Sequence, residues 1–286
     1  MDNLKAKKRH PEEIAVYSAI YVCAAFSVLL LLGIIVYVFA KGARRVNWAF
    51  LTGVTSILHG TVGIAGNILN TLIIILLTMI ITMPIGVGAA IYLNEYAKPG
   101  KLVTVIIFAT ETLAGIPSII FGLFGMLFFG QLCHMGYSLL TGSLTLTLMV
   151  LPLVTRNTQE ALKTVPDSFR TGAVGLGAGK WYTIRTILLP SAMPGIVTGV
   201  ILAIGRIIGE SAALLFTAGS AHLLPKTFNA FLEKIFHSGG TLTIQLYLSA
   251  SKGEFEVAFG IAVVLLVIVL LINFGTKRLA KKLEKH

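Results

Sequence analysis

The chain of 286 residues is 56% hydrophobic and 12% charged, with a mean hydropathy of +0.87. A soluble domain carries about 25% charged residues to cover its surface, so soluble globular, disordered and fibrous classes are excluded, and an integral membrane protein with room for about six spans remains. The net charge of +11 is therefore read first as a topology signal and not as a nucleic-acid footprint.

A basic head, Lys5, Lys7, Lys8 and Arg9, precedes an uncharged stretch from Ile14 to Ala40. That stretch is too long for a signal-peptide core, so a tail over 1–13 and a retained first span are expected. Asn67 to Leu93 gives a second span, with Pro84 and Gly86 near its far end, and Leu102 to Gly130 a third. Polar residues and glycines between Gly130 and Gly142 interrupt the apolar run, so a fourth span is expected from about Ser138 to Arg156. A fifth runs from about Ala192 to Ala218 and a sixth from Val257 to Thr276, leaving a basic tail over 277–286. The expected fold is thus all-α, one membrane domain over 14–276 with core spans about 67–276.

Six spans put both termini on one side. On that side fall the basic residues of both tails, Lys98 and Lys101, and Arg156, Lys163, Arg170, Lys180 and Arg185. The other side holds Lys41, Arg44, Arg45, Lys226, Lys234 and Lys252, while Arg206 lies within a span. The richer side is expected to be cytoplasmic, and insertion accounts for the basic balance without nucleic acid. Cys23 and Cys133 lie apart in apolar stretches and form neither a disulfide framework nor a metal motif. His59, His134, His222 and His237 lack mutual ligand spacing, so no metal site is expected.

Ionisable groups inside spans are costly and mark function by default. Arg206 and Glu210 are four apart, on one face of a helix, and can pair. They read either as a structural ion pair or as a substrate element, with the Arg206 fork offered to a tetrahedral oxyanion and Glu210 holding its rotamer. Arg156, at the inner end of the fourth span, is a second cation for that pathway or an interfacial snorkelling arginine. Glu111 stands near the Pro117-Ser118 break, where backbone polar groups can line a cavity.

The segment from Glu160 to Pro190 is the most informative. Val165-Pro166-Asp167-Ser168 is a helix-start signal; Phe169, Ala173 and Leu176 follow at helical spacing, and Gly177 ends the turn. A short helix parallel to the membrane is expected, then a second beginning near Lys180. Gly175 to Lys180 lacks the phosphate-loop spacing and runs into Trp181, so no ATP site is read here.

This loop resembles the EAA loop of the ABC-importer permeases. Thr171, Gly172 and Ala173 stand where Glu-Ala-Ala would, Gly177 stands at the glycine, and after nine residues Ile187, Leu189 and Pro190 complete the pattern. The spacing matches throughout and the first two residues depart, which removes the glutamate's contact. The resemblance implies a type I importer fold (MetI-like) with a cytoplasmic coupling helix that docks on a separate ATPase. Phe169, Ala173, Leu176, Gly177, Lys180, Trp181, Ile187, Leu189 and Pro190 would carry that coupling.

Two further segments, Glu111-Thr-Leu-Ala-Gly-Ile-Pro-Ser-Ile-Ile-Phe-Gly122 and Arg206-Ile-Ile-Gly-Glu-Ser-Ala-Ala-Leu-Leu-Phe-Thr217, are similar to the phosphate permeases of that family. Leu151-Pro-Leu-Val-Thr-Arg156 belongs to the same pattern, and Leu242 to Tyr247 matches weakly. The resemblance implies a homologous permease beside this chain in the bilayer, two ATPase copies, and an extracytoplasmic phosphate-binding protein. ATP and Mg would be used by the ATPase, with no cofactor in this chain and no chemistry of its own. It also implies a bacterial or archaeal inner membrane as location. An importer of another oxyanion, molybdate or sulfate, would keep the loop and change the cargo; a self-contained anion channel or proton-coupled carrier would not need the loop.

Overall fold

In a bilayer every backbone polar group must find its partner within the chain, so uncharged runs of this length fold as helices. The computed structural model describes residues 11–56, 61–225 and 227–283; the basic head Lys5 to Arg9, His59 and Lys226 lie outside them. Helix α1 (Pro11–Gly42) is followed by a short α2 (Trp48–Thr52), a two-stranded antiparallel ribbon and α3 (Ala65–Ile91). The ribbon pairs β1 (Val54–Ser56) with β2 (Thr61–Ile64), Val54 facing Ile64, and is the single departure from an all-helical chain among the described residues. A π-helical turn, Tyr92–Tyr96, prolongs α3.

Among the described residues five helices are long and apolar enough to span a membrane, and a bent pair, counted as one span, makes a sixth. That pair occupies the third span expected over Leu102 to Gly130: α4 (Lys101–Gly115) and α5 (Ser118–Gly125), prolonged to Leu132, meet at 103°. Pro117 causes the break, since its ring disfavours the helical conformation at the preceding residue, and Ile116 is extended. The fourth span, α6 (Leu139–Lys163), runs two turns beyond Arg156. It is followed by α7 (Asp167–Gly175) and α8 (Lys180–Thr183), which continues through a π-helical segment, Ile184–Leu188, into α9 (Leu189–Gly209). The fifth span therefore begins at Lys180, not near Ala192, and stops at Gly209. Glu210 is extended, and a separate α10 (Ala212–Thr217) takes over. Then come α11 (Phe228–Glu233), α12 (Leu242–Ser251) and the last span α13 (Phe255–Leu283).

The core sits between α3, α6, α9 and α10, around Ile74, Leu146, Val150, Ala203, Ile207 and Leu214. Burial in this chain does not follow hydropathy. None of the apolar window of α1 is buried, whereas 67% of the window of α6, the least hydrophobic span, is. Lipid is as apolar as leucine, so burial within the membrane selects small and hydroxylated residues that let helices approach and bond. Thr145 and Thr147 in α6 donate to the carbonyls of Thr141 and Ser143 four residues back, at 2.8 and 2.9 Å. Such bonds satisfy a hydroxyl inside the core without a neighbouring chain.

Candidate transport site

The bend at Ile116–Pro117 opens a cavity of about 380 Å3. Its walls come from α4 (Thr110, Glu111, Leu113, Ala114), from α6 (Met149, Pro152, Leu153, Arg156) and from Arg206 of α9, with Ile116 and Phe121 beside the bend. Three of the four charged residues singled out in the spans thus meet at one cavity, though they are 45 to 95 residues apart in sequence. Arg206 lies in the last turn of α9, where unpaired carbonyls favour a cation. Arg156 Nε donates to Glu160 Oε1 at 3.2 Å, an exposed i, i+4 pair that contributes little stability and leaves the remaining guanidinium donors available. A second cavity of about 170 Å3 shares Thr110, Glu111 and Arg156 with the first and adds Glu160 and Lys163 from the end of α6. The two form a charged track from Arg206 past Arg156 to the loop end of the bundle.

Glu210 is not on that track. The expected Arg206–Glu210 pair does not form, because the helix that would place them on one face ends at Gly209. The Glu210 carboxylate instead turns back and Oε1 accepts the Ala213 N–H at 3.0 Å, capping α10. Its own carbonyl accepts the Thr243 hydroxyl at 2.9 Å, tying the break to the start of α12. A carboxylate at a helix N-terminus satisfies orphan N–H donors and the helix dipole together, and the side chain is buried. In this structure Glu210 shapes the broken span that holds Arg206 in its final turn.

At the loop end, α7 starts at Asp167 behind Pro166, as the start signal predicts. It ends where Gly177 adopts φ +80°, the left-handed conformation that closes a helix and that a side chain resists. The N–H groups of Gly177 and Ala178 donate to the carbonyls of Val174 and Ala173, both at 2.9 Å. The expected single face splits in two. Ala173 is buried against the bundle, while Phe169, Leu176 and Trp181 are exposed, Leu176 at 91%. An apolar surface of this kind, standing off the membrane spans, is available to another protein. Ile187, Leu189 and Pro190 lie instead at the root of the fifth span, with Ile187 and Leu189 half-buried.

Sequence reasoning missed the residue that fixes this loop. Arg170, on α7, reaches Glu95 at the end of α3, with Nη2 2.8 Å and Nε 3.2 Å from Oε1. Its other donors go to the carbonyls of Leu162 and Val165 and to Asp167 Oδ1, each at 3.0 Å. Asn94 Nδ2 also donates to Glu95 Oε1 at 2.7 Å. The carboxylate of Glu95 beside it holds the Arg170 guanidinium pKa above its ordinary value. Lys180 Nζ adds a second tie, 4.6 Å from the ring centre of Tyr96. Both helices of the loop are therefore fastened to the end of α3, and α7 also to the end of α6. The only sequence signal was that Glu95 is the one carboxylate between Glu13 and Glu111. Among the described residues no cluster of three or more His, Cys, Asp or Glu gathers as a metal site.

Residues 82–286 match the family described as binding-protein-dependent transport system inner membrane component. The chain is 36% identical over 273 residues to a probable ABC transporter permease protein, YqgI, of Bacillus subtilis (strain 168), covering 92% of this chain and 93% of that one. It is 35% identical over 246 residues to the phosphate transport system permease protein PstA of Xylella fastidiosa (strain Temecula1 / ATCC 700964), covering 84% and 82%. Among solved structures, a chain of a bacterial alginate ABC transporter superposes with a TM-score of 0.71 over 96% of both chains at 14% identity, a likeness of fold alone.

Proposed function

The chain belongs to the family of inner membrane components of binding-protein-dependent transport systems, and from that premise we propose that it is the permease subunit of an ATP-driven importer of inorganic phosphate. The observation that carries the reading is the convergence of Arg206, Arg156 and Glu111 on one cavity opened by the α4–α5 bend. The name of the Xylella fastidiosa relative supports the cargo. A tetrahedral oxyanion needs planar, permanently charged donors, and two arginines meet that need better than lysines would. Glu111, in the same cavity, supplies a negative charge that keeps the anion from binding too tightly to leave.

Transport on this reading needs a homologous permease to complete the pathway, two copies of an ATPase that bind ATP and Mg, and an extracytoplasmic binding protein that delivers phosphate. The exposed face of Phe169, Leu176 and Trp181 would dock on the ATPase, with both termini cytoplasmic. Closure of the ATPases would displace α7, and the Arg170–Glu95 tie would carry the displacement to α3 and α6. Since Arg156 lies on α6 and lines the cavity, the displacement reaches the substrate track directly. The cavity would face outward to receive phosphate near Arg206 and then inward to release it past Arg156.

The test is uptake of radiolabelled phosphate at low external concentration by cells lacking this chain, with and without its restoration, using sulfate as control solute. Phosphate-selective uptake that returns with the chain and ceases on ATP depletion is expected. Uptake that survives ATP depletion, or that is selective for sulfate, overturns the reading.

A further inference from the structure

Away from the transport site, the far end of α1 carries a charge cluster that insertion does not explain. The uncharged stretch ends at Ala40, and Lys41, Arg44 and Arg45 follow within one turn, on the side that the distribution of basic residues leaves poor. Cations there run against the positive-inside tendency. Among the described residues none of the three is in an ion pair. Lys41 and Arg44 are exposed and Arg45 is half-buried, so the cluster presents its charge at the surface of the chain.

These side chains edge a cleft of about 980 Å3 between the end of α1 and the start of α13. The helices touch where Gly42 lies so close to the Phe259 carbonyl that any Cβ would collide with it. Tyr37 packs edge-on against Phe259 at 5.7 Å. Phe255 lines the cleft and is exposed, and Glu256 is its one carboxylate. The cleft therefore joins an aromatic wall, Tyr37, Phe255 and Phe259, to three cations at the level where the apolar stretch ends. Trp48, 78% exposed just beyond, is the kind of side chain that sits at the headgroup level. Along α1 the cleft is left uncovered by this chain, since none of that helix's apolar stretch is buried in it.

We propose that this cleft binds one anionic phospholipid, its phosphodiester held by Lys41, Arg44 and Arg45 and its upper acyl chains laid against Tyr37, Phe255 and Phe259. A free oxyanion would use the cations and leave the aromatic wall idle; a phospholipid uses both. Three cations against Glu256 leave a net positive site, which selects an anionic over a zwitterionic headgroup. The bound lipid would fill the cleft between α1 and α13 and hold the two helices together. The proposal depends on the chain spanning a membrane and is independent of the cargo.

The test is native mass spectrometry of the assembled transporter, titrated in detergent with phosphatidylglycerol, with phosphatidylcholine and inorganic phosphate as the other arms. One phosphatidylglycerol per copy of this chain is expected, retained in preference to phosphatidylcholine. Near an anionic headgroup each cation contributes roughly fivefold in affinity, so Lys41→Gln with Arg44→Gln should weaken phosphatidylglycerol binding by roughly tenfold or more. Lys98→Gln with Lys101→Gln, the same charge change at the other end of the spans, should leave it unchanged. If the double variant fails to accumulate, Arg44→Gln alone, at an exposed side chain, provides the reading, and Arg44→Lys should retain binding. Equal retention of phosphatidylcholine, no loss in the variants, displacement by millimolar inorganic phosphate, or absence of the lipid from the assembled transporter would each overturn the proposal.

Discussion

Replacing Arg170 by alanine tests whether the loop moves the spans or merely hangs from them. The substitution removes the bonds to Glu95, to the carbonyls of Leu162 and Val165, and to Asp167. It leaves the Glu95 side chain, 8% exposed, with Asn94 as its remaining side-chain partner. Breaking a buried pair from one side costs about 3–5 kcal/mol. Arg170 is 22% exposed, so water can reach the vacated space and a cost at or below the bottom of that range, about 2–3 kcal/mol, is expected. Two kcal/mol is roughly a thirtyfold change in the population of the fastened state. With the full transporter in proteoliposomes, ATP hydrolysis and phosphate uptake are measured on the same preparation. Arg170→Ala should keep most of the hydrolysis and lose most of the uptake, so that ATP consumed per phosphate rises by roughly tenfold or more. Arg170→Lys should recover part of the coupling, since lysine supplies the charge without the fork. A double-mutant cycle with Glu95→Gln should return a coupling energy of about 1–3 kcal/mol. An unchanged ratio of hydrolysis to uptake together with a zero cycle would refute the role given to this contact. Loss of both activities with normal assembly would place Arg170 in ATPase docking instead.

Four other outcomes follow from the same geometry. Phe169→Asp or Leu176→Asp, at exposed positions, should leave stability within about 0.5 kcal/mol while the ATPase no longer copurifies with the transporter; full copurification and normal uptake would remove these residues from the docking face. Arg206→Ala should abolish phosphate uptake with assembly intact, and persistent uptake would reduce Arg206 to a helix-end cation. Glu210→Ala should lower the thermal midpoint through loss of the cap on α10, a cost of about 1–2 kcal/mol, whereas Glu210→Gln, which retains an acceptor for the Ala213 N–H, should lie near the native value; equal effects of the two would point to the charge and not the cap. Burial pushes the pKa of Lys234 below the ordinary lysine value, and its ammonium donates to the Leu223 carbonyl. Between the lowered and the ordinary pKa the unfolded chain binds more protons, so stability should rise with pH across that window. A thermal-midpoint series toward alkaline pH should show this slope in the native chain and lose it in Lys234→Met; parallel curves would show that Lys234 contributes none of it.

The helix of the loop between α6 and α9 was legible because its signals are local. Pro166 with Asp167 starts a helix and Gly177 ends one by conformational rules that act within a single turn, and α7 runs between them. The cavity charges were legible one by one, since an ionisable residue among apolar neighbours stands out in any window. Their meeting at one cavity was not, because it depends on the angle at Ile116–Pro117 and on how α6 and α9 pack. Pro117 marks a break and says nothing of its 103°. Glu210 shows the opposite failure: a spacing of four implies a shared face only while the helix continues, and Gly209 with an available cap ended it.

What the sequence by itself determined is the membrane class, the order of the apolar segments and the family of the loop, all of which rest on composition and on spacings within a few turns. What only the tertiary structure decided is which spans are inside and which contacts join distant segments. Apolar runs cannot rank themselves for burial in lipid, since hydrophobicity drives all of them into the bilayer and none toward another. So within this chain the strongly apolar α1 ends up on the outside and the threonine-rich α6, the least hydrophobic of the long spans, at the centre. For the same reason the tie between Arg170 and Glu95, 75 residues apart, appears only when α3 and α6 have packed and brought their ends to the same level.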